Sequence, residues 1–275
     1  MSFPEPHIHA PTTTYTHTII LLHGRGSFGP KFAEELFSSN TSNNQNLPTA
    51  LPNVRWVFPT SRDRWDTKFE EEIPAWFDAY SLTDIEERQE LQVEGLRESV
   101  KYVLEVLEKE IKLVGDAGKV FLGGISMGMA VVVWVVVYYL ASGTGKGKAL
   151  GGVLGLCGWC PFARQVEERL SAADAGEEGG DCGAEFQRLV SSMLGQTIPV
   201  AGNQEGVSPA SIPVCLLHGI DDAFVSVELG RQAAGRLQRM GMPVEWHEYT
   251  GAENEGHWIK EPEGFDEIVK FLCSR

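Results

Sequence analysis

The sequence has little that would suit a nucleic-acid partner or a membrane crossing. It holds 23 Lys and Arg against 38 Asp and Glu, a formal net charge of −15, and no segment rich in basic residues. Because nucleic-acid binding depends on Lys and Arg neutralising backbone phosphates, this composition argues against such a partner. The one strongly apolar run, residues 127–140, is shorter than the roughly 20 residues that a bilayer crossing needs. It predicts a buried core helix and no transmembrane segment.

The sequence also lacks the signs of secretion. Residues 1–14 show no basic start followed by an apolar stretch, so no secretory leader is predicted. The five cysteines are odd in number, in a chain of 275 residues that can bury a core without disulfides. Both observations favour a reducing compartment, and we expect a cytoplasmic protein.

Cys157 and Cys160 form a CxxC pair. A dithiol redox centre would require a lowered thiol pKa, and a zinc site would require a second pair, which the sequence does not contain. We therefore favour cysteines that are structural or line a pocket, with redox or metal chemistry as the alternative.

Short apolar runs alternate with amphipathic ones along most of the chain. Strands are predicted at residues 15–23, 54–59, 119–123, 151–156, 214–218 and 244–249. Helices are predicted at residues 85–114, from 127 onward, at 227–240 and at 262–272. This alternation predicts an α/β fold, a mostly parallel central sheet with helices on both faces.

Two polar segments interrupt the pattern. Residues 38–47 are turn-rich and predict an exposed loop. Residues 164–211 form an acidic insertion that includes a predicted helical piece at 184–194. We expect a single domain over residues 1–275, in which the insertion is either a mobile loop or a cap near the active site.

The segment Gly124-Ile125-Ser126-Met127-Gly128 lies between a predicted strand and the predicted helix that follows it. A serine on so sharp a turn adopts strained backbone angles, and the residues two positions away approach other backbone closely, so both must be small. The helix amino terminus places partial positive charge beside the reacting oxygen. The pattern favours Ser126 as a nucleophile over a passive serine on a glycine-rich turn.

A serine nucleophile needs a base, because its hydroxyl gives up a proton reluctantly at pH 7. Three histidines, His218, His247 and His257, follow Ser126 in the chain. His247 lies inside a predicted strand, and His218 lies at a strand end ahead of the predicted acid. His257 lies in a loop between the last strand and the last helix, where an imidazole can reach over the sheet edge. We therefore predict that His257 is the base.

The acid that orients the imidazole should follow the penultimate strand, where Asp221 and Asp222 are adjacent. Either carboxylate could fix the imidazole tautomer and stabilise its charged form during attack. The residues alone leave both candidates open.

An oxyanion hole requires two N–H donors aimed at the developing charge. The backbone of Met127 can supply one. The other is expected from Arg25 in the loop at residues 23–27, where glycines on both sides let its N–H turn inward. A phosphate-binding glycine loop is disfavoured, because the Lys-Ser/Thr ending that such loops need is absent.

Seven segments follow one another as in the acyl-protein thioesterase and carboxylesterase/phospholipase family of α/β-hydrolases: LLHGRGS, FPTSRDRW, AWFD, GGISMGMA, LCGWCPF, HGIDDAFV and GHW. The chain resembles this family over residues 15–163 and 212–273, which implies the α/β-hydrolase fold. The resemblance implies Ser126, Asp222 and His257 as nucleophile, acid and base. Asp222 is favoured here because it matches the acid of the HGxxD pattern.

The resemblance extends to groups around the predicted nucleophile. It implies that the backbone N–H groups of Arg25 and Met127 are the oxyanion donors. It also implies that the Trp76-Phe77 segment borders the acyl-binding groove, and that Trp159 lies in a loop near the active site. We expect Trp76, Phe77 and Trp159 to bind substrate.

These features predict a serine hydrolase that cleaves carboxylic esters or thioesters through an acyl-enzyme, with no metal or organic cofactor. The expected substrate is a small molecule or an acylated protein. A ligand receptor or scaffold that retains the fold, and a dedicated small-metabolite ester or lactone hydrolase, are the alternatives. The sequence leaves acyl length, leaving group, transient membrane contact and oligomeric state open.

Overall fold

A seven-stranded, mostly parallel sheet forms the centre of the computed structural model, which describes residues 2–142, 147–175, 187–188, 190–193, 195 and 206–274. The strands are β1 (His7–His9), β2 (His17–Leu22), β3 (Val54–Phe58), β4 (Arg62–Asp66), β5 (Glu71–Ala75), β6 (Val120–Ile125), β7 (Gly152–Leu156), β8 (Val214–Gly219) and β9 (Val244–Tyr249). The sheet order is β1-β3-β2-β6-β7-β8-β9, with β1 antiparallel to β3 and the other neighbours parallel. The six predicted strands are confirmed, within two residues at each end.

Helices cover both faces of this sheet. They are α1 (Gly29–Ser38), α2 (Leu47–Ala50), α3 (Gln92–Val114), α4 (Met127–Ser142), α5 (Ala163–Ala175), α6 (Val227–Arg239) and α7 (Glu263–Cys273). In β2 the side chains alternate, so that Ile20 and Leu22 pack toward α3 and α4 while Ile19 and Leu21 pack toward α1 and α7. The prediction of a mostly parallel sheet with helices on both faces is confirmed.

The apolar run after Ser126 forms α4, as predicted, and nearly all of its side chains are buried. The helix is covered by the sheet on one side and by α3 on another, so burial leaves no polar face. In the part of the chain that the structure describes, no helix combines the length and apolarity that a bilayer crossing demands.

The predicted start of the long amphipathic helix at residue 85 is wrong, because α3 begins at Gln92. Arg88 has φ +50°, in the left-handed region that an α-helix cannot include, and a single 3-10 turn at Gln89–Leu91 joins it to α3. The predicted end at Val114 is confirmed, since Gly115 takes the left-handed C-cap conformation at φ +84°.

Three further elements were not predicted from the pattern. β1 has only three residues and pairs with β3 at the sheet edge. Helix α1 follows the loop after β2, with Pro30 in its first turn. β4 and β5 form a separate two-stranded antiparallel hairpin outside the central sheet.

The first part of the predicted insertion at residues 164–211 is helical. Residues of α5 begin there, and the helix packs into the core through Val166 and Leu170. Of the predicted helical piece at 184–194, the described residues 187–188 and 190–193 are helical, and the others lie outside the described residues. The expectation of a loop or cap over 176–186 and 196–205 also falls outside them.

The carboxyl ends of five neighbouring strands meet at one edge of the sheet. The loop containing Arg25 follows β2, Ser126 follows β6, Cys157 follows β7, and the Asp221–Asp222 pair follows β8. His257 lies in the connection from β9 to α7. In parallel sheets this edge is where ligands bind.

Candidate active site

Ser126 lies on a strained turn between β6 and α4. Its φ is +56°, a conformation that costs a non-glycine residue energy and is kept where the surroundings enforce it. A Cβ at Gly124 would lie 2.6 Å from the carbonyl carbon of Gly128, and a Cβ at Gly128 would lie 2.3 Å from the carbonyl oxygen of Leu22. Both flanking positions therefore require glycine. These two close backbone approaches explain why the GxSxG pattern has glycine two residues before and two residues after the serine.

The loop after β2 passes directly beside this serine. A Cβ built at Gly24 would lie 3.4 Å from the Ser126 Cβ and 3.9 Å from its Oγ. Within the described residues, neither the backbone N–H of Arg25 nor that of Met127 has a hydrogen-bond acceptor. Two N–H groups without partners beside a serine hydroxyl are what an oxyanion hole requires.

The loop at 23–27 is fixed from below by β5 and the residue after it. The indole Nε1 of Trp76 donates to the carbonyl of His23 at 2.8 Å, and the N–H of Gly26 donates to the carbonyl of Pro74 at 2.8 Å. Gly26 has φ +77°, so the turn that exposes the Arg25 N–H also depends on a glycine. The loop is thus rigid before any ligand binds.

His23 holds the start of the same loop. Its Nε2 accepts a hydrogen bond from the N–H of Ser61 at 3.0 Å, so its Nδ1 carries the hydrogen and donates to the Gly24 carbonyl at 2.6 Å. The imidazole is fully buried, and this burial lowers the pKa of His23 to about 4. His23 is therefore neutral at neutral pH and has a structural role in the loop.

The side chain of Arg25 ties the loop to the β4–β5 hairpin. Its guanidinium is 3.3 Å from the buried carboxylate of Asp66, donates to the carbonyl of Ala79 at 3.0 Å, and lies 4.8 Å above the ring of Phe69. Asp66 in turn accepts from the N–H of Phe69 at the hairpin turn. The hairpin that the sequence did not predict therefore borders the loop beside Ser126.

Asp222 and His257 form a hydrogen-bonded pair. The Nδ1 of His257 lies 2.7 Å from Oδ2 of Asp222, whose other oxygen accepts from the backbone N–H groups of Phe224 and Val225 at 2.9 Å. Burial acts to raise the pKa of Asp222, but hydrogen bonds from His218 and His257 outweigh it and hold that pKa well below its usual range. Because the ionised carboxylate only accepts, Nδ1 carries the hydrogen and Nε2 is left to accept a proton.

The structure separates the candidates that the residues left open. Asp221 accepts from the N–H of Gly251 at 2.8 Å and holds the turn after β9. His247 lies on β9 with its Nε2 3.9 Å from a carboxylate oxygen of Glu267. His218 was set aside at the sequence level, yet it is buried with its Nε2 3.3 Å from Oδ2 of Asp222.

Ser126 and His257 line one cavity of about 590 Å³ together with Arg25. Apolar side chains of the hairpin and of two loops line it, namely Phe69, Ile73, Leu82 and Phe224, together with Phe32, Ile125 and Trp258. Glu35, Glu71 and Glu255 also line it. The cavity therefore combines a serine hydroxyl, an imidazole and two backbone N–H groups that lack partners among the described residues with an apolar wall.

The structure does not place Trp76, Phe77 and Trp159 on the walls of this cavity. All three side chains are buried in the core, and the rings of Phe77 and Trp159 pack edge to face at 6.2 Å. Their large apolar surfaces are removed from water by core packing, so the structure shows no contact for the expected substrate-binding role, which stays a prediction. Trp76 acts instead through its hydrogen bond to the loop at 23–27.

The CxxC pair does not have the properties of a redox centre. Cys157 and Cys160 are both buried as free thiols, and burial raises the pKa of each to about 12. A redox thiol requires the opposite shift. Cys157 also lies near the acid–base pair: its Sγ, an Asp222 oxygen and a His257 nitrogen lie within 4.8 Å of one another, the one such group among the described residues that could hold a metal ion.

Comparison with known proteins agrees with this geometry. A family model described as phospholipase/carboxylesterase matches residues 4–175. Acyl-protein thioesterase 1 of Gibberella zeae is 25% identical over 275 residues, covering 97% of this chain and 94% of the relative. Carboxylesterase SOBER1 of Arabidopsis thaliana is 26% identical over 246 residues, covering 89% of this chain and 85% of that protein.

Solved structures give the same result at the level of the fold. The crystal structure of Zea mays acyl-protein thioesterase 2 superposes with a TM-score of 0.68 at 27% identity, covering 98% of both chains. The crystal structure of Arabidopsis thaliana SOBER1 superposes with a TM-score of 0.64 at 22% identity, covering 94% of this chain and 98% of that one. The expected α/β-hydrolase fold is confirmed.

Proposed function

Because the chain belongs to the phospholipase/carboxylesterase family of α/β-hydrolases and is an ester or thioester hydrolase, we propose that Ser126, His257 and Asp222 form its catalytic triad. The backbone N–H groups of Arg25 and Met127 complete the site as the oxyanion hole. No metal or organic cofactor enters the proposed reaction.

In the first half of the proposed reaction, the Oγ of Ser126 attacks the acyl carbonyl carbon. Its proton passes to Nε2 of His257, and Asp222 stabilises the imidazolium that forms. The carbonyl oxygen becomes negative and accepts hydrogen bonds from the two N–H donors. When the tetrahedral intermediate collapses, His257 returns the proton to the leaving alkoxide or thiolate, and the acyl group stays on Ser126.

In the second half, water attacks the acyl-enzyme. His257 takes a proton from the water as the new bond to carbon forms, and the same donors hold the oxyanion. Collapse breaks the ester bond to Ser126, whose oxygen recovers the proton from His257. A carboxylic acid leaves, and the site returns to its starting protonation state.

The observation that carries the proposal is the 2.7 Å hydrogen bond from His257 to Asp222, in an imidazole that shares a cavity wall with a serine at φ +56°. The bond leaves Nε2 as the proton acceptor. The strained turn supports Ser126 as the nucleophile, because strained backbone conformations are kept mainly at functional sites, where the surrounding structure enforces them.

The proposed substrates are esters or thioesters whose acyl or leaving group has apolar surface. The wall formed by Phe69, Ile73, Leu82 and Phe224 supports this, because binding such a group removes apolar area from water. Two of the relatives are named acyl-protein thioesterases, and we extend their acylated-protein substrates to this chain as part of the proposal. A small-molecule ester that fits the same cavity is the other member of the class.

The proposal also includes the organisation and location of the protein. We take residues 1–275 as a single hydrolase domain, with the core packing of α5 as support. A cytoplasmic location is supported by the buried free thiols of Cys157, Cys160 and Cys215, which suit a reducing compartment.

The direct test is hydrolysis of a short-chain p-nitrophenyl ester by the wild type and by Ser126→Ala. We expect the variant to lose at least about 10³-fold in kcat/KM. Ser61→Ala is the matched control, since this serine is equally buried and its Oγ has no hydrogen-bond partner among the described residues. Hydrolysis by Ser126→Ala at the rate of the control would refute the proposal.

A further inference from the structure

His218 is the second imidazole at the carboxylate of Asp222. Its Nε2 lies 2.9 Å from the carbonyl oxygen of Val225 and 3.3 Å from Oδ2 of Asp222. A carbonyl oxygen only accepts, so Nε2 carries a hydrogen and Nδ1 does not in the neutral ring. The N–H is directed mainly to Val225 and makes a second, longer contact with Asp222.

The arrangement closes a small network around the turn after β8. Oδ1 of Asp222 accepts from the N–H groups of Phe224 and Val225, while Oδ2 faces His257 and His218. His218 lies on β8, which is an interior strand of the sheet. The network therefore ties the turn that carries the acid to a strand that is paired on both sides.

The surroundings of His218 leave its ring no freedom. Its side chain is 1% exposed, and its ring centroid lies 6.1 Å from that of Trp246. A Cβ at Gly230 would lie 2.3 Å from the Nδ1 of His218. Glycine is less favourable than alanine inside a helix such as α6, and here it makes room for the imidazole.

The other titratable groups near this network do not compete for the same role. Glu248 lies opposite His218 on β9, and its carboxylate is bound by the guanidinium of Arg231. Burial raises the pKa of Cys157 to about 12 and raises that of Tyr249 as well, so both stay neutral beside Asp222. The charge on Asp222 is therefore balanced by its hydrogen-bond donors.

We propose that His218 is a positioning residue for the hydrolase reaction, whose Nε2–H holds Oδ2 of Asp222 in the orientation that directs it at His257. The inference rests on the proposed triad. Without this donor, the carboxylate keeps its three hydrogen bonds from Phe224, Val225 and His257 but loses the 3.3 Å contact with His218, and it can rotate away from His257. Burial, which acts to raise the pKa of Asp222, would then be opposed by fewer contacts.

Two amide variants of the full-length chain separate this role from simple packing. In His218→Gln the amide nitrogen can reach the place of Nε2, whereas in His218→Asn it ends near the place of Nδ1. Rates of p-nitrophenyl ester hydrolysis are measured from pH 5 to pH 9, with thermal melting to establish that each variant is folded. His247→Asn, on the neighbouring strand and outside the network, is the control for loss of an imidazole.

We expect His218→Asn to lower kcat about 10-fold or more with KM within about twofold, because the misplaced acid affects the reaction and not ground-state binding. Because a misplaced Asp222 stabilises the protonated imidazole less, the acidic limb of its pH profile moves to lower pH. His218→Gln retains kcat within about threefold and keeps the wild-type limb. His247→Asn matches the wild type.

Equal kcat values and pH profiles for the Asn and Gln variants would overturn the inference, whether both match the wild type or both fall. If His218→Asn does not fold, His218→Gln decides: loss of kcat in a folded Gln variant refutes the donor role, and retention supports it. The triad itself is judged separately, by Ser126→Ala. Full activity of that variant would refute the proposed function, whereas silent His218 variants with an inactive Ser126→Ala would refute only this inference.

Discussion

Lowering the pH should destabilise this protein through one buried imidazole beside the oxyanion loop. Burial lowers the pKa of His23 from its ordinary value of 6.5 to about 4 in the folded chain. Between these two values the unfolded chain binds a proton at this residue and the folded chain does not. The free energy of unfolding therefore falls as the pH decreases from about 6.5 to about 4.

The two pKa values set the size of the effect. The full difference corresponds to about 3 kcal/mol, most of which is lost between pH 7.5 and pH 4.5. Protonation would also remove the acceptor that Nε2 offers to the N–H of Ser61, so the folded state resists it. Carboxylates titrate in the same range, which makes a comparison with a variant necessary.

The measurement is urea unfolding at pH 7.5 and pH 4.5, followed by tryptophan fluorescence, because Trp76 lies 4.9 Å from His23 between ring centroids. The variant His23→Gln retains an amide donor and acceptor but does not titrate. We expect the wild type to lose about 2–3 kcal/mol more than the variant between the two pH values. His9→Gln, on the edge strand, controls for loss of an imidazole. Equal losses in wild type and His23→Gln would refute the reasoning.

Three further substitutions test the site and its support. Gly128→Ala places a Cβ 2.3 Å from a backbone oxygen and should lower the free energy of unfolding in urea by about 2–3 kcal/mol. Gly235→Ala, in α6 with open space around it, is the control and should raise that free energy by about 0.5–1 kcal/mol. If both variants changed the free energy of unfolding in the same direction, the prediction would be contradicted. Asp222→Asn should lower kcat about 10⁴-fold in ester hydrolysis by favouring the wrong imidazole tautomer, and a loss below tenfold would contradict its role. Trp76→Phe removes the donor to the buried carbonyl of the loop after β2 and should cost about 1–3 kcal/mol in thermal or urea unfolding, so an unchanged stability would count against the support role.

Sequence patterns predicted the parts of the site that depend on local backbone sterics. The GxSxG spacing records two close backbone approaches at Gly124 and Gly128, and both are present in the structure. The strands were predictable for a similar reason, since buried parallel strands consist of short apolar runs. The start of α3 was not, because the left-handed conformation of Arg88 leaves no mark in the apolar periodicity.

Groups that depend on tertiary packing could not be predicted from the residues. Asp221 and Asp222 are adjacent and chemically identical, and only the fold directs one to Gly251 and the other to His257. The aromatic residues expected to bind substrate lie in the core, where burial of their large apolar area stabilises the fold. Part of the cavity wall comes from the β4–β5 hairpin, whose strands mix charged and apolar side chains and show no clear strand pattern.

The sequence contains an indication of the position of His218 beside the acid. His218 lies four residues before Asp222 in the HGIDD segment, and β8 ends at Gly219. The turn that follows the strand can therefore bring the Asp222 carboxylate back toward His218. Because His218 precedes the predicted acid in the chain, its position argues against a role as the catalytic base and says nothing about other roles. A buried histidine beside an acid could instead have been considered as a hydrogen-bond donor to that acid.

The central claim is that Ser126 is the activated nucleophile of a hydrolase site. The most direct measurement is covalent labelling of the full-length chain with a fluorophosphonate, followed by peptide mapping by mass spectrometry. We predict one adduct, on Ser126, which is absent in Ser126→Ala and strongly slowed in Asp222→Asn. An adduct on a different residue, or no adduct on folded wild-type protein, would contradict the claim.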